Sequence, residues 1–99
     1  MSKKNPAPAK LVIEWIGGNC PVQAEGYFDS RPLFFRARGD SWRVEIQDDS
    51  VPGFSKWVYC EKYKEWPDAG FMSNEKAKKF IYKAVDIYIE RKARGNLFG

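Results

Sequence analysis

Residues 33–46 read LFFRARGDSWRVEI, and this stretch decides the fold. On both sides of Gly39-Asp40, apolar residues largely alternate with charged or polar ones, which is the pattern of two half-buried β-strands. A turn with glycine in its first position favours a type II′ hairpin, because glycine accepts the positive φ that this turn requires. The stretch therefore predicts an antiparallel hairpin with strands over residues 33–38 and 41–47.

Two more strands are predicted upstream of this hairpin, over residues 11–16 and 22–28. Gly17-Gly18-Asn19 forms the turn between them, since glycine tolerates the backbone angles of tight reversals. Asp29-Ser30-Arg31-Pro32 forms the next reversal and leads into the hairpin. We therefore expect four successive strands joined by short turns.

Downstream of the hairpin the pattern changes from strands to a helix. Residues 56–63 predict a weaker fifth strand, because large side chains occur on both of its faces. Residues 74–94 predict a helix, with Ser73 as its N-cap and Gly95 as its left-handed stop. Its apolar stripe at helical spacing consists of Ala77, Phe80, Ile81, Ala84, Val85, Tyr88 and Ile89.

The predicted fold class is α+β, an antiparallel meander sheet of four to five strands with one C-terminal helix packed on one face. A chain of 99 residues has room for one such core. We expect a flexible N-terminal tail over residues 1–9 and a single α+β domain over residues 10–99.

The composition excludes much catalytic and metal chemistry. The chain has no histidine, which removes histidine general bases, nucleophile triads and histidine-containing zinc sites. Its two cysteines, Cys20 and Cys60, are too few for a thiolate zinc site. We expect them to be free, buried and reduced, with a disulfide as the alternative. We therefore expect no catalytic residues, no metal and no cofactor, in a protein that is not an enzyme.

Two further sequence properties bear on location and partners. There is no apolar run of signal-peptide length and no stretch of about 18 apolar residues, so we expect a cytoplasmic protein without membrane contact. The formal net charge is +4, but residues 11–72 alone have a net charge of −3. Because nucleic-acid-binding proteins usually collect their basic residues into one stripe, this distribution weakens that interpretation and leaves it open.

The candidate binding residues are those expected on the open face of the sheet, together with the basic edge of the helix. They are Tyr27, Phe34, Arg36, Arg38 and Arg43 on the sheet, and Lys79 and Lys83 on the helix. Arg36 is expected opposite Arg43, and two like charges so close need neighbouring glutamates or an external anion. One interpretation is a solvated lattice of charges. The other is a contact surface, since arginine with exposed aromatic rings is typical of protein interfaces and of single-strand stacking platforms.

Other conspicuous residues have simpler interpretations. The second reversal is expected to pair Phe28 with Leu33. Asp48 and Asp49 are interpreted as solvated loop charge. Trp15 is expected on the same strand face as Leu11 and Ile13. The core is expected to contain all four tryptophans, Trp15, Trp42, Trp57 and Trp66.

Residues 15–26 (WIGGNCPVQAEG) and 34–42 (FFRARGDSW) resemble small bacteriophage and prophage proteins of largely unassigned function. The resemblance covers residues 10–46. The C-terminal helix is similar only in its general character, and the resemblance identifies no site residue. It implies an anti-defence inhibitor such as an anti-CRISPR protein, which would occupy a surface of a host nuclease or guide complex. Many such inhibitors are acidic DNA mimics, so a net charge of +4 favours blocking of a protein surface over mimicry of a strand.

Two functional hypotheses follow. The leading one is a non-enzymatic, phage-type binding protein that inhibits a host protein or nucleoprotein complex in the bacterial cytoplasm by occupying its surface. The alternative is a small nucleic-acid-binding protein, in which the arginines bind phosphates and Tyr27 or Phe34 stacks on a base. Salt dependence separates the two, because phosphate binding weakens steeply as salt is added.

Overall fold

The computed structural model describes residues 10–51, 53 and 55–97, and the predicted tail, residues 1–9, lies outside the described residues. The strands are β1 (Leu11–Gly17), β2 (Val22–Phe28), β3 (Arg31–Arg38), β4 (Ser41–Gln47) and β5 (Lys56–Lys62). A short 3-10 helix (Asp68–Phe71) and a long helix, α1 (Asn74–Ala93), follow them. The strands form one open antiparallel sheet in the order β1-β2-β3-β4-β5, which confirms the predicted α+β meander with a C-terminal helix.

The hydrophobic core lies between this sheet and α1. Every second residue of β2, of β4 and of β3 from Leu33 onward is buried, because a strand sends alternate side chains to the same side. Phe80 of α1 stacks on Trp42 with ring centroids 4.7 Å apart, and Tyr88 meets Phe28 edge to face at 5.9 Å. Burial of each large apolar side chain of this kind stabilises the fold by about 1.5–3 kcal/mol. The buried residues of α1 are Ala77, Ile81, Ala84, Val85 and Tyr88.

Both ends of α1 follow the sequence signals. The hydroxyl of Ser73 accepts a hydrogen bond from the backbone N–H of Lys76 at 3.1 Å, which caps the first turn as predicted. At the other end Gly95 has a φ of +69°, the left-handed conformation that stops a helix. The helix ends at Ala93, one residue before the predicted boundary.

The β3–β4 hairpin has the predicted register. Ala37 pairs with Trp42, and Arg36 pairs with Arg43. Gly39 has a φ of +68° while Asp40 does not have a positive φ, as a type II′ turn requires. The turn chemistry therefore fixed both the register and the outward direction of the arginines.

The β2–β3 hairpin differs from the prediction by two residues. Phe28 pairs with Arg31 rather than with Leu33, because the turn uses only Asp29 and Ser30. Both turn residues have positive φ, at 52° and 66°, which is the type I′ conformation that matches the twist of the strands. Since the side-chain period of a strand is two, this shift changes the opposing partners and leaves every side chain on its predicted face.

A β-bulge in β1 overturns the predicted placement of Trp15. Ile13 pairs with Gly26 and Trp15 pairs with Glu25, so Glu14 is an extra residue between the two pairs. The extra residue reverses the alternation, and Trp15 lies on the face away from the helix. Gly26 permits this arrangement, because a Cβ atom at that position would overlap the carbonyl of Val12.

Two further predictions about buried residues are wrong in part. Trp42 and Trp57 are buried in the core as expected, whereas Trp15 is 50% exposed and Trp66 is 75% exposed. Trp66 lies against Gly39 at the tip of the β3–β4 hairpin. A Cβ atom added to Gly39 would lie 3.1 Å from the nearest atom of the Trp66 ring. The cysteines are free as predicted, but both are exposed, because Cys20 lies in a turn and Cys60 points outward from β5.

Asp48 is a buried carboxylate that is hydrogen-bonded to α1, and the prediction that it is solvated loop charge is wrong. Its side chain is only 4% exposed, although it lies in the loop after β4. Tyr88 donates its hydroxyl proton to this carboxylate, Lys92 approaches it at 2.6 Å, and Ser50 donates from its backbone N–H at 2.9 Å. We call Asp48 and these three partners the Asp48 network. It joins the loop between β4 and β5 to the last turns of α1.

Candidate functional site

The face of the sheet that points away from α1, here called the open face, is ordered into rows of side chains that cross the strands. The pairings place residues of all five strands side by side in each row. The aromatic row consists of Trp15, Glu25, Phe34, Glu45 and Val58. The arginine row, one step along the strands, consists of Gly17, Gln23, Arg36, Arg43 and Cys60.

The arginine row forms the basic end of the open face. Arg36 and Arg43 are directly opposite each other, and Arg38 follows Arg36 two residues along β3. Glu45 relieves part of the repulsion, since its Oε2 atom is 3.1 Å from Nε of Arg43. Among the described residues, Arg36 and Arg38 form no ion pair. Two of the three guanidinium groups are therefore available to an external partner.

The other end of the open face combines carboxylates with aromatic rings. A shallow concavity of about 450 Å³ is bordered by Tyr27, Phe34, Glu14, Glu25 and Glu45. Glu45 is shared between Arg43 and Lys56, which approaches its Oε1 atom at 3.2 Å. Within the part of the chain that the structure describes, Glu14 and Glu25 have no ion-pair partner. This end can accept a positively charged group beside an aromatic surface.

Exposed apolar side chains run along the same face. Trp15 is 50% exposed and Tyr27 is 41% exposed, and Val12 and Val58 are exposed to a similar extent. Single exposed apolar residues are normal on any protein, but these four are carried by one sheet face together with three arginines. Trp, Tyr and Arg are the residue types that dominate binding energy at protein interfaces.

The structure brings five of the seven predicted site residues together on the open face. Those five residues are Tyr27, Phe34, Arg36, Arg38 and Arg43. Lys79 and Lys83 are on α1, on the opposite side of the sheet. Nζ of Lys83 is 2.7 Å from Oε2 of Glu61 at the end of β5, so this lysine already has an intramolecular partner. The predicted edge of the helix is therefore separate from the arginine row.

The contact of Lys83 belongs to a small polar cluster at the seam between β5 and α1. Burial alone would raise the pKa of Glu61, but hydrogen bonds from Lys83 and Tyr59 outweigh it and lower that pKa below its ordinary value. The hydrogen bond that Tyr59 donates to Glu61, aided by burial, raises the pKa of Tyr59. Both groups therefore keep their usual charge at neutral pH, and the cluster holds the helix on the sheet.

Sequence reasoning missed three members of the open face. Strict alternation fails from Trp15 onward, because Glu14 is the extra residue of the bulge. Val58 does not stand out in the sequence, because β5 has large residues on both faces. The one available signal for the bulge was Gly26, since a glycine inside a strand often marks a bulge or a close backbone approach.

Comparisons with protein-family models, with curated proteins and with solved structures found no match to this chain. The open face itself is therefore the basis for inferring function. Over the described ranges, no helix has the length and apolar character needed to cross a membrane. The same residues hold no group of three or more cysteine, aspartate or glutamate side chains arranged to bind a metal ion.

Proposed function

We propose that this chain is a non-enzymatic, phage-type binding protein that inhibits a host macromolecular complex in the bacterial cytoplasm by occupying its surface. The proposal depends on one observation, which is the combination on the open face of Trp15 and Tyr27 with Arg36 and Arg38, two arginines that form no ion pair with the described residues. The other face of the sheet packs against α1 in the core, so the open face is the face of the sheet left for a partner.

A protein surface suits the open face better than a nucleic acid does. Glu25 and Glu45 flank Phe34 in the aromatic row, and Glu14 lies beside them. A polyanion lying along the arginines would bring its phosphates close to these carboxylates. A protein can offer both charge signs and apolar groups, and the open face presents all three kinds of chemistry.

Nucleic-acid binding remains the second candidate, and one observation favours it. Arg36 and Arg43 face each other on neighbouring strands, with Arg38 one row away. Such a like-charge pair would be stabilised by a phosphate between the two guanidinium groups. In this alternative, only the basic end of the open face would bind.

Affinity purification from a bacterial lysate tests the proposal. The tagged chain is expected to retain a host protein complex whether or not the lysate is treated with nuclease. A variant with Trp15→Ala and Tyr27→Ala should lose that complex. The matched control is Tyr82→Ala, which removes a side chain that is 51% exposed on the far side of α1 and should retain the complex.

Two outcomes would contradict the proposal. If nuclease treatment removes all captured material, nucleic acid is the ligand, and the affinity should then fall linearly with salt on a log–log plot. If the control variant loses the complex and the open-face variant keeps it, the helix side of the molecule is the binding surface.

A further inference from the structure

The open face carries two charge patterns that complement each other. Among the described residues, Arg36 and Arg38 at one end lack intramolecular ion pairs, and Glu14 and Glu25 at the other end lack them too. Arg36 and Glu25 lie on neighbouring rows of the sheet, and Arg38 lies one row beyond Arg36. A surface with unpaired opposite charges at its two ends is complementary to its own copy after a half-turn.

We propose that the open face binds a second copy of this chain, forming a two-fold symmetric dimer in which the sheets pack face to face. The proposal goes beyond the function proposed above and does not rest on it. It commits to a second copy because the arginines, the carboxylates and the aromatic surface that such a contact requires are all present on the same face.

Symmetry determines which residues meet. Suppose that the two-fold axis runs across the strands, between the arginine row and the aromatic row. The arginine row of each copy then lies over the aromatic row of the other copy. Because the axis is parallel to the rows, the same strand contributes both partners. Arg36 then lies over Phe34 of the second copy, and Trp15 lies over Gly17 of the second copy. The largest side chain of β1 is thereby placed over a residue without a side chain.

The environment of Phe34 supplies the specific contact. In the aromatic row its neighbours are Glu25 on β2 and Glu45 on β4, and adjacent strands are about 4.8 Å apart. An arginine lying over this ring would therefore sit between two carboxylates while its guanidinium group stacks on the aromatic face. Two-fold symmetry makes this contact twice in the dimer, and in each the arginine is Arg36.

The area of the open face determines how strongly the two copies are expected to associate. Five strands about 4.8 Å apart, each with seven residues at about 3.4 Å, give a face of roughly 550 Å² per copy. Stable interfaces bury about 800 Å² per partner. We therefore expect a reversible dimer that forms with increasing concentration and weakens with salt.

Sedimentation velocity on the purified chain tests this inference without any host partner. Between about 10 μM and about 1 mM, the weight-average mass should rise from the 11.5 kDa of one chain toward twice that value. Arg36→Glu should weaken association at least about tenfold, because it brings a third carboxylate against Glu25 and Glu45 of the second copy. Glu25→Arg should weaken it for the opposite reason, and circular dichroism would verify that both variants fold.

Mixing the two variants is the decisive step. A heterodimer of R36E with E25R has two contacts between position 36 of one copy and position 25 of the other. In one contact the two charges are exchanged and again opposite, and in the other both residues are native. Association should therefore return to near the parental strength. The matched control is Lys79→Glu, an equal charge reversal on α1, which should leave dimerisation unchanged.

The inference is overturned if the chain stays monomeric across the whole range, or if the mixture associates no better than the single variants. It is also overturned by a dimer that both charge reversals leave intact, which would place the interface elsewhere, such as at the exposed edges of β1 and β5. The dimer and a host complex would compete for the same open face. Because sedimentation is measured without a host partner and capture is scored by the host complex retained, failure of one proposal is still distinguishable from failure of the other.

Discussion

At the scale of single residues, Asp48 is the charged side chain with the clearest structural role. Burial by itself would raise its pKa, but hydrogen bonds from Lys92, Tyr88 and Ser50 outweigh burial and hold the pKa well below its ordinary value. Burial, together with the same contact with Asp48, raises the pKa of Tyr88. The carboxylate is therefore ionised in the folded protein over the whole physiological range.

Asp48→Asn should destabilise the fold by about 2 kcal/mol, since it removes the charge that accepts hydrogen bonds from Lys92 and Tyr88. Urea denaturation at pH 7 would measure the loss. The neighbouring substitution Asp49→Asn, at an exposed position, is the control and should change stability by less than about 0.5 kcal/mol. Equal effects of the two substitutions would contradict the role assigned to the Asp48 network.

The lowered pKa of Asp48 predicts how the stability of the fold depends on pH. A folded-state pKa below the unfolded value of 3.8 means that the stabilisation is fully present above about pH 5 and is lost as the pH falls below 3.8. The parent protein should therefore lose stability in acid more steeply than Asp48→Asn does. The two stability curves should converge at low pH, and parallel curves would exclude Asp48 as the titrating group.

A third residue-scale prediction concerns the bulge. Gly26→Ala should destabilise the protein by about 2 kcal/mol, because the new Cβ would overlap the backbone of Val12 and force β1 to move. Gly17→Ala is the matched control, since its new Cβ would meet only Trp15 at an ordinary 3.8 Å. Thermal melts of the two variants should differ clearly, and equal melting temperatures would mean that β1 adjusts without cost.

At the scale of elements, the sequence predicted those parts of the fold in which two local signals agree. For α1, the apolar stripe, the Ser73 cap and the Gly95 stop all indicate the same span. In the β3–β4 hairpin, the alternation and the Gly39 turn indicate the same register. Such agreement between independent local preferences is what makes a segment predictable.

Elsewhere the structure depends on contacts that no local pattern reveals. The Asp29-Ser30 turn lacks the glycine that usually marks a type I′ hairpin, so the sequence favours the longer reversal. The bulge in β1 depends on the approach of Val12 to Gly26 across the sheet. Asp48 is buried by Tyr88 and Lys92, which are 40 and 44 residues away in sequence. The candidate site was therefore predicted on β2, β3 and β4 and missed on β1 and β5.

The helix stripe supplies the prediction at this scale. Ile81→Asp should abolish cooperative folding, because it places an unpaired carboxylate at a position with no exposure between α1 and the sheet. Lys78→Asp, at an exposed position three residues earlier, is the control for the helix propensity of aspartate. Circular dichroism melts would distinguish them, and a cooperative Ile81→Asp transition near that of the control would mean that the buried stripe is wrongly placed.

At the scale of the whole molecule, the two faces of the sheet differ in burial and composition. One face, with α1, holds the core, and the open face carries Trp15, Tyr27 and the arginine row. The net charge of +4 does not describe this division, because the open face contains both basic and acidic groups. Under the proposed function, we therefore expect substitutions on the open face to change binding while leaving stability largely unchanged.

Replacement of Arg36 and Arg43 tests that separation. Changing both to Gln removes a like-charge pair from the open face, so stability should change by less than about 0.5 kcal/mol. Affinity for the captured host complex should fall, and it should fall further when both become Glu, because repulsion adds to the lost hydrogen bonds. Parallel titrations with host complex, DNA and RNA would identify the ligand that is lost, and unchanged affinities in both folded variants would remove the open face from binding.

Because α1 follows all five strands in sequence, the core can close only late during synthesis. Neighbouring strands of the meander are neighbours in sequence, so hairpins form within microseconds of their emergence. At roughly 5–20 residues per second, residues 63–93 need about 2–6 s more. For those seconds the nascent sheet presents Phe35, Trp42 and Val44 to water, with no helix to cover them. A ribosome that stalls in this interval therefore holds an intermediate prone to aggregation.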